Sequence, residues 1–293
     1  MTKVGWIGLG AMGGPMAVVL AEAGHQVAAF DVAEGRAESL ARPGLRPAAT
    51  AADAAREADV VALMVATPAQ ADAVLFGDTG LAASLRPGSV ILLMATVGPA
   101  AEISLAQRLE QFGVEVVDAP VSGGTRRAAT GELLMMVSGC ETALERVRPL
   151  LDAMASSAPV VGAKVGDGQK VKLVNQLLCG VHIAVAGEAL AFAEALGLDA
   201  KSTWDVLRSG AAASFMLDDR GARMVDDDGT EVRSALDIFV KDMGLVAEAA
   251  RESSYPAPLA TAAEQLYLRG HRAGLGRRDD SSVIEVLRGN PSR

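Results

Sequence analysis

The segment GQKVKLVNQLL (168–178) brings Lys172, Asn175 and Gln176 within one turn of an apolar helical run. Lysine is seldom enclosed without a task, and apolar residues flank Lys172 on both sides. An amine that is partly neutral, as desolvation or a nearby cation makes it, can take a proton from a hydroxyl. The ammonium form can return it. Asn175, three residues on, can hydrogen-bond a ligand or orient the amine, whereas Lys170 projects to another face and is assigned to solvent. The plain alternative is a solvated helix edge with a packing amide beside it.

A second group of residues stands at the other end of the chain. Gly8, Gly10 and Gly13, with Leu9, Ala11 and Met12 between them, spell G-x-G-x-x-G after the apolar run Lys3–Ile7 and before a helical pattern that Gly24 closes. Asp31 ends the next apolar run, 18 residues past Gly13. In that context the glycines allow a tight turn, close approach of backbone to a pyrophosphate, and close helix–strand packing. The helix start offers N–H groups and partial positive charge to the phosphates. Asp31 can bind both hydroxyls of an adenosine ribose and repel a 2′-phosphate, so NAD is expected over NADP, with Arg36 leaving some room for the latter. Ser122, Gly123 and Gly124 follow a strand end and a proline, where backbone N–H groups and a hydroxyl can hold a carboxylate.

These residues must be carried by elements that the hydrophobic pattern outlines. Continuous apolar runs at 59–65, 89–94 and 114–119 alternate with helical stretches such as 99–112. This is the signature of a Rossmann-type, doubly wound parallel sheet, an α/β fold covered on both faces. A strand at 132–139, a helix at 141–154 and a strand at 158–161 complete it, and from Gly166 onward the pattern is helical. Residues 1–163 are therefore expected to form a dinucleotide-binding Rossmann domain, and 164–293 an all-helical domain for substrate and dimerisation. The helix from Gly168 to Leu196 carries Gly180, Ala184, Gly187 and Ala191 on one side, a stripe that suits a close helix crossing within the domain or across a dimer.

Composition narrows the partners. The 293-residue chain is half hydrophobic with a formal charge of −9, which argues against a nucleic-acid partner but not against a small anion in a local cationic pocket. Cys140 and Cys179 have no metal-ligand spacing and suit a reducing cytoplasm. The uncharged run Val4–Ala21 is interrupted by five glycines and Pro15, unlike a signal peptide or membrane helix. No metal and no membrane partner is expected.

Taken together, GWIGLGAMGGPMA, DAPVSGG with ATGELLMMVSG, G-x-x-x-K-x-x-N from Gly168, and FVKDMGL (239–245) resemble, in order, the motifs of the β-hydroxyacid dehydrogenase family. That family includes the 3-hydroxyisobutyrate dehydrogenases, and VNQLLCGVHIA, SALDIFVKDMG and DDSSVIEVL are most similar to its L-threonate dehydrogenase branch. The resemblance implies an NAD(P)-dependent oxidoreductase acting on the CH–OH of a β-hydroxy or four-carbon sugar acid. Lys172 and Asn175 would be catalytic, Ser122, Gly123, Gly124 and Asn175 would bind substrate, and Thr96 and Lys241 would join the glycine loop and Asp31 around the cofactor. It also implies a homodimer or homotetramer. Val19 and Ala95 stand where the family commonly has asparagine and serine. Alternatives are a 3-hydroxyisobutyrate or tartronate-semialdehyde enzyme, an imine reductase of similar architecture (which typically lacks the lysine), and a non-catalytic dinucleotide-binding module.

Overall fold

The computed structural model describes residues 1–226 and 231–288. They fall into two compact units, Met1–Lys172 and Leu173–Arg293.

In the first unit, β1 (Lys3–Ile7), α1 (Gly13–Glu22), β2 (Gln26–Phe30), α2 (Arg36–Ser39), β3 (Leu45–Pro47), α3 (Ala51–Ala55), β4 (Val60–Leu63), α4 (Pro68–Phe76), β5 (Val90–Leu93), α5 (Pro99–Glu110) and β6 (Glu115–Asp118) alternate as expected. They are followed by β7 (Val121–Ser122), α6 (Gly124–Thr130), β8 (Leu133–Met135), β9 (Val137–Ser138), α7 (Glu141–Met154), β10 (Ala155–Ser157), β11 (Val160–Gly162) and the start of α8 (Asp167–Ala195). The main sheet has the order β11-β9-β6-β5-β4-β1-β2-β3. β1 lies between β2 and β4, with Trp6 level with Ala29 on one side and Ala62 on the other. The strand order reverses there, so the carboxyl end of β1 opens onto the crevice where such sheets bind ligands.

Period-two alternation explains the two cores. Val60, Ala62, Val90 and Leu92 pack on the face covered by α1 and α7, while Val61, Leu63, Ile91 and Leu93 pack on the face covered by α3, α4 and α5. A strand buried on both faces must be apolar throughout, as these are.

Two details differ from the sequence reading. The run 132–139, expected as one strand, is two strands in different sheets: β8 pairs with β7 and β10, and β9 with β6 and β11. The chain changes sheets at Met136, whose N–H bonds to the Pro120 carbonyl at 3.0 Å. The sheet is accordingly not wholly parallel, because β9 meets β6 antiparallel at Ser138 and Asp118. Three short strands are additions: β3 on the edge of the main sheet, and β7 and β10 on either side of β8 in the second sheet.

In the second unit, the rest of α8 packs with α9 (Ala200–Leu207), α10 (Phe215–Met224), α11 (Leu236–Glu252), α12 (Pro258–Arg272) and α13 (Val283–Arg288). Ile183 and Leu190 of α8 join Trp204, Leu236, Phe239, Met243 and Tyr267 in one core. The small-residue stripe is used inside this unit. A side chain at Gly180 would collide with Met243, and one at Gly187 would lie 3.5 Å from Ile284. The Tyr267 hydroxyl donates to the Gly180 carbonyl at 2.8 Å. α8 is also the one helix among the described residues long and apolar enough, by length and composition, to cross a membrane, and 44% of that window is buried.

Candidate active site

The glycine loop joins β1 to α1. Gly8 has φ +95°, and a side chain there would collide with the Met64 carbonyl of the neighbouring segment; one at Gly13 would collide with the Gly8 carbonyl. These two glycines are required by the chain itself. Gly10 is different. A Cβ on it would meet nothing within 4 Å, and its φ is not in the left-handed region. Nothing in the protein demands glycine at this position, but a group approaching the backbone from outside would. The α1 start has no side-chain cap and no acidic residue in its first turn. The Gly14 and Met16 N–H groups bond to the Gly10 and Met12 carbonyls and Pro15 has none, so the Gly13 N–H and the positive end of the helix are what the first turn offers an anion. The loop therefore fits a dinucleotide pyrophosphate.

Asp31 stands at the end of β2. Its Oδ2 accepts from the Leu9 N–H at 2.6 Å and its Oδ1 from the Ala33 N–H at 2.8 Å, while an Arg36 nitrogen lies 3.8 Å from Oδ2. A carboxylate has about four acceptor sites, so Asp31 both ties down the glycine loop and retains capacity for ribose hydroxyls. Ala11 is exposed and Met12 half-buried beside it.

At the carboxyl end of β5 the chain turns through Thr96 and Gly98 into α5, and Thr96 is the half-buried residue among buried neighbours. Ser122, Gly123 and Gly124 lie where β7 passes into α6; both glycines have positive φ, +132° and +72°, and the Arg127 side chain packs against Gly123. Lys172, only 6% exposed, donates from Nζ to the Val121 carbonyl at 2.8 Å, so the amine stands beside the Ser122–Gly124 turn.

What holds α8 in that place is a set of residues outside the expected site. Asp118, at the end of β6 and fully enclosed, accepts at Oδ2 from the N–H groups of Gly166 (3.0 Å) and Gln169 (2.9 Å) and from Ser138 Oγ (3.1 Å). Gln169 makes four bonds: Oε1 accepts from the Val97 and Gly98 N–H groups, and Nε2 donates to the Ala95 carbonyl and to Asp118 Oδ1. This pins the Thr96 loop to the first turn of α8. Ala95 takes part through its carbonyl, so its lack of a hydroxyl costs this link nothing. A side chain at Gly168 would collide with the Met136 carbonyl and lie 2.8 Å from Asp118. Asp118 and Gln169 lie inside the quoted motifs DAPVSGG and GQKVK, which was the available signal.

In the second unit, Asn175 sits one turn beyond Lys172 on the same helix. Its Nδ2 donates to Gln176 Oε1 at 2.8 Å, and Gln176 donates in turn to the enclosed Asp242. Lys241 Nζ is 2.8 Å from Asp242 Oδ1. Asp242 thus links two expected site residues, Asn175 and Lys241, which sequence spacing gave no reason to connect.

Residues 3–165 match the family model described as the NAD binding domain of 6-phosphogluconate dehydrogenase, and 166–287 match the NAD-binding domain of NADP-dependent 3-hydroxyisobutyrate dehydrogenase. The chain is 42% identical to an L-threonate dehydrogenase of Cupriavidus necator over 98% of its own length and 96% of that protein's. The chain belongs to the 3-hydroxyisobutyrate dehydrogenase-like family. An L-threonate dehydrogenase of Escherichia coli K12 is 39% identical over 98% of this chain and 95% of that one. A crystal structure of a 3-hydroxyisobutyrate dehydrogenase from Salmonella typhimurium superposes with a TM-score of 0.92, at 39% identity, covering 98% and 100% of the two chains. This family member is an NAD-binding oxidoreductase of the hydroxyacid dehydrogenase type, acting on a CH–OH group of a small acid.

Proposed function

We propose that the chain interconverts L-threonate, or a closely similar four-carbon sugar acid, and its keto form, with Lys172 as the acid–base group. The observation that carries this reading is the enclosed Lys172 amine held 2.8 Å from the Val121 carbonyl, one residue from the Ser122–Gly124 turn. NAD, when bound, supplies the hydride acceptor for the carbinol carbon. The Ser122 hydroxyl and the backbone N–H groups of Gly123 and Gly124 bind the substrate carboxylate. The neutral Lys172 amine takes the hydroxyl proton in oxidation, and the ammonium returns it in reduction. Asn175 binds a substrate hydroxyl or orients the amine. Gly8 to Gly13, Asp31, Thr96 and Lys241 hold the cofactor, with the Asp31 carboxylate selecting NAD over NADP. The L-threonate dehydrogenases among its relatives support the substrate.

Cofactor binding is assigned to residues 1–163, and substrate binding with self-association to 164–293. The protein is proposed to work as a cytoplasmic homodimer or homotetramer without nucleic-acid or membrane partners. Val174, Leu178, Val185 and Phe192, each at least half exposed, fall within about 40° of one another around α8 and supply an apolar face for a second copy.

The test is reduction of NAD and NADP, followed at 340 nm, with L-threonate, D-erythronate, 3-hydroxyisobutyrate and glycerate. Turnover in oxidation should rise with pH. Lys172→Ala should lose on the order of 10²–10⁴-fold in turnover while still binding NAD, and Lys172→Arg should fail too, since guanidinium stays protonated. Parental turnover in Lys172→Arg would overturn the proton-transfer role.

A further inference from the structure

Glu102 lies on α5 with its side chain fully enclosed, and no donor reaches either carboxyl oxygen at hydrogen-bond geometry. The charged group acting on it is the Asp118 carboxylate, with the neutral Gln169 amide beside it. Among the described residues the salt bridges join other groups, and none of them includes Glu102 or Asp118. Two adjacent carboxylates enclosed without a cation cannot both be ionised. The donors decide which one is. Asp118 receives four hydrogen bonds, from Gly166 N, Gln169 N, Ser138 Oγ and Gln169 Nε2; the three nitrogens can only donate to it, and Ser138 Oγ, which accepts from the Gly168 N–H, has its own O–H to give. Glu102 has only the Gln169 amide near it, and no donor at hydrogen-bond geometry. The negative charge therefore belongs on Asp118 and the proton on Glu102. Burial first, and then the Asp118 charge, push the Glu102 carboxyl well above the usual carboxylate range. Burial also raises Asp118, against the hydrogen bonds from Gln169, Glu102 and Ser138.

We infer that Glu102 and Asp118 form a one-proton carboxyl pair that positions the catalytic apparatus. The Asp118 carboxylate clamps the first turn of α8, where a negative charge faces the helix N–H groups, and through Gln169 it fixes the Thr96 loop. Lys172 follows one turn later on the same helix, against the segment that continues from Asp118 through Val121 to Ser122. One enclosed anion thereby sets the distances among three parts of the site, and the protonated Glu102 adds no second charge beside it. Glu102 and Asp118 are positioning residues, since neither is argued to touch substrate. The inference rests on Lys172 being the acid–base group.

Two measurements test it. Carbon-13 NMR of carboxyl-labelled whole protein, without cofactor and with NAD, should show one glutamate that stays protonated through pH 7 and vanishes from the spectrum of Glu102→Gln. An ionised Glu102 at pH 7 would overturn the pair. In kinetics normalised to NAD-binding stoichiometry, Glu102→Gln keeps an N–H donor towards Asp118 and should turn over near the parental rate, whereas Glu102→Leu should not. Asp118→Asn should lose about 10–100-fold in kcat, the scale of a misplacement of about 1 Å. Its NAD affinity should be unchanged and the limb of its pH–kcat profile displaced. Parental kcat and profile in Asp118→Asn would sink the inference. If Asp118→Asn does not fold, Ser138→Ala removes one donor to Asp118 together with the acceptor of the Gly168 N–H, and should lower kcat in the same direction at unchanged NAD affinity. An active Lys172→Ala would instead strike the acid–base reading itself, whatever Asp118 does.

Discussion

Asp118 in the first unit and Asp280 in the second are both enclosed, yet different groups satisfy them. Around Asp118 there are backbone N–H groups, a hydroxyl, an amide and a protonated neighbour, and no cation. Asp280 faces Arg220, whose Nε and Nη2 lie 3.1 and 3.0 Å from its two oxygens, and Asp279 accepts from Arg223 at 2.7 Å, with Asp219 bridging both arginines. The second arrangement staples α10 to the turn at 279–282, two segments about sixty residues apart. Long guanidinium side chains can span such a gap, and their planar forks fit carboxylates. The first arrangement is short-ranged and directional. Backbone N–H groups cannot be moved without moving the helix that owns them, so a carboxylate bound to them fixes where that helix begins. The comparison separates holding a fold together from placing a side chain.

The largest effect that tests this contrast is on stability in the second unit. Asp280→Asn leaves Arg220 enclosed with only Asp219 as an anionic partner and should destabilise the protein by about 3–5 kcal/mol, read by denaturant unfolding of the whole chain. A loss below about 1 kcal/mol, as for a solvent-exposed pair, would erase the distinction.

Asp118→Asn should cost less stability, roughly 1–3 kcal/mol, because one acceptor oxygen remains and no cation is stranded. Its functional cost should nevertheless exceed that of Asp280→Asn when turnover is compared at a temperature where both are folded. The reverse ranking would make the second unit's network the positioning device.

The reasons why some of this was legible from sequence and some was not lie in particular residues. Gly8, Gly10, Gly13 and Asp31 could be read because a turn, a helix start and a strand end impose fixed spacing on a short segment. The 29-residue α8 followed from its unbroken apolar pattern, and it runs from Asp167 to Ala195. Leu45–Pro47 was missed because three residues on an edge show no periodicity. The division of 132–139 at Met136 was hidden because an apolar run buried in two different sheets does not alternate. Asp118, Gln169 and Ser138 each sat in view, but their association depends on partners 20 to 51 residues away. Glu102 did leave one trace: it shares a helix face with the buried Leu105 and Leu109, at i+3 and i+7, where a charged residue does not belong unless it is neutral or paired.

The smallest effect is a slope, and it sharpens the contrast most directly. A glutamate titrates near 4.5 in an unfolded chain, and in the folded protein Glu102 is held well above that, chiefly by burial and next by the Asp118 charge. Between those two values the folded state keeps a proton that the unfolded state releases. Stability contributed by this group is therefore complete below about pH 4.5 and is lost as pH rises towards the folded value. Glutamine carries no such proton. The difference in thermal midpoint between Glu102→Gln and the parent should be least near pH 4.5 and should grow in favour of the variant up to pH 8. The same comparison for Asp280→Asn should show a loss at every pH in that range, because removing Asp280 strands an arginine that stays charged throughout. A gap between Glu102→Gln and the parent that stays level with pH would mean that Glu102 ionises normally. The first unit would then hold two charges that nothing visible neutralises.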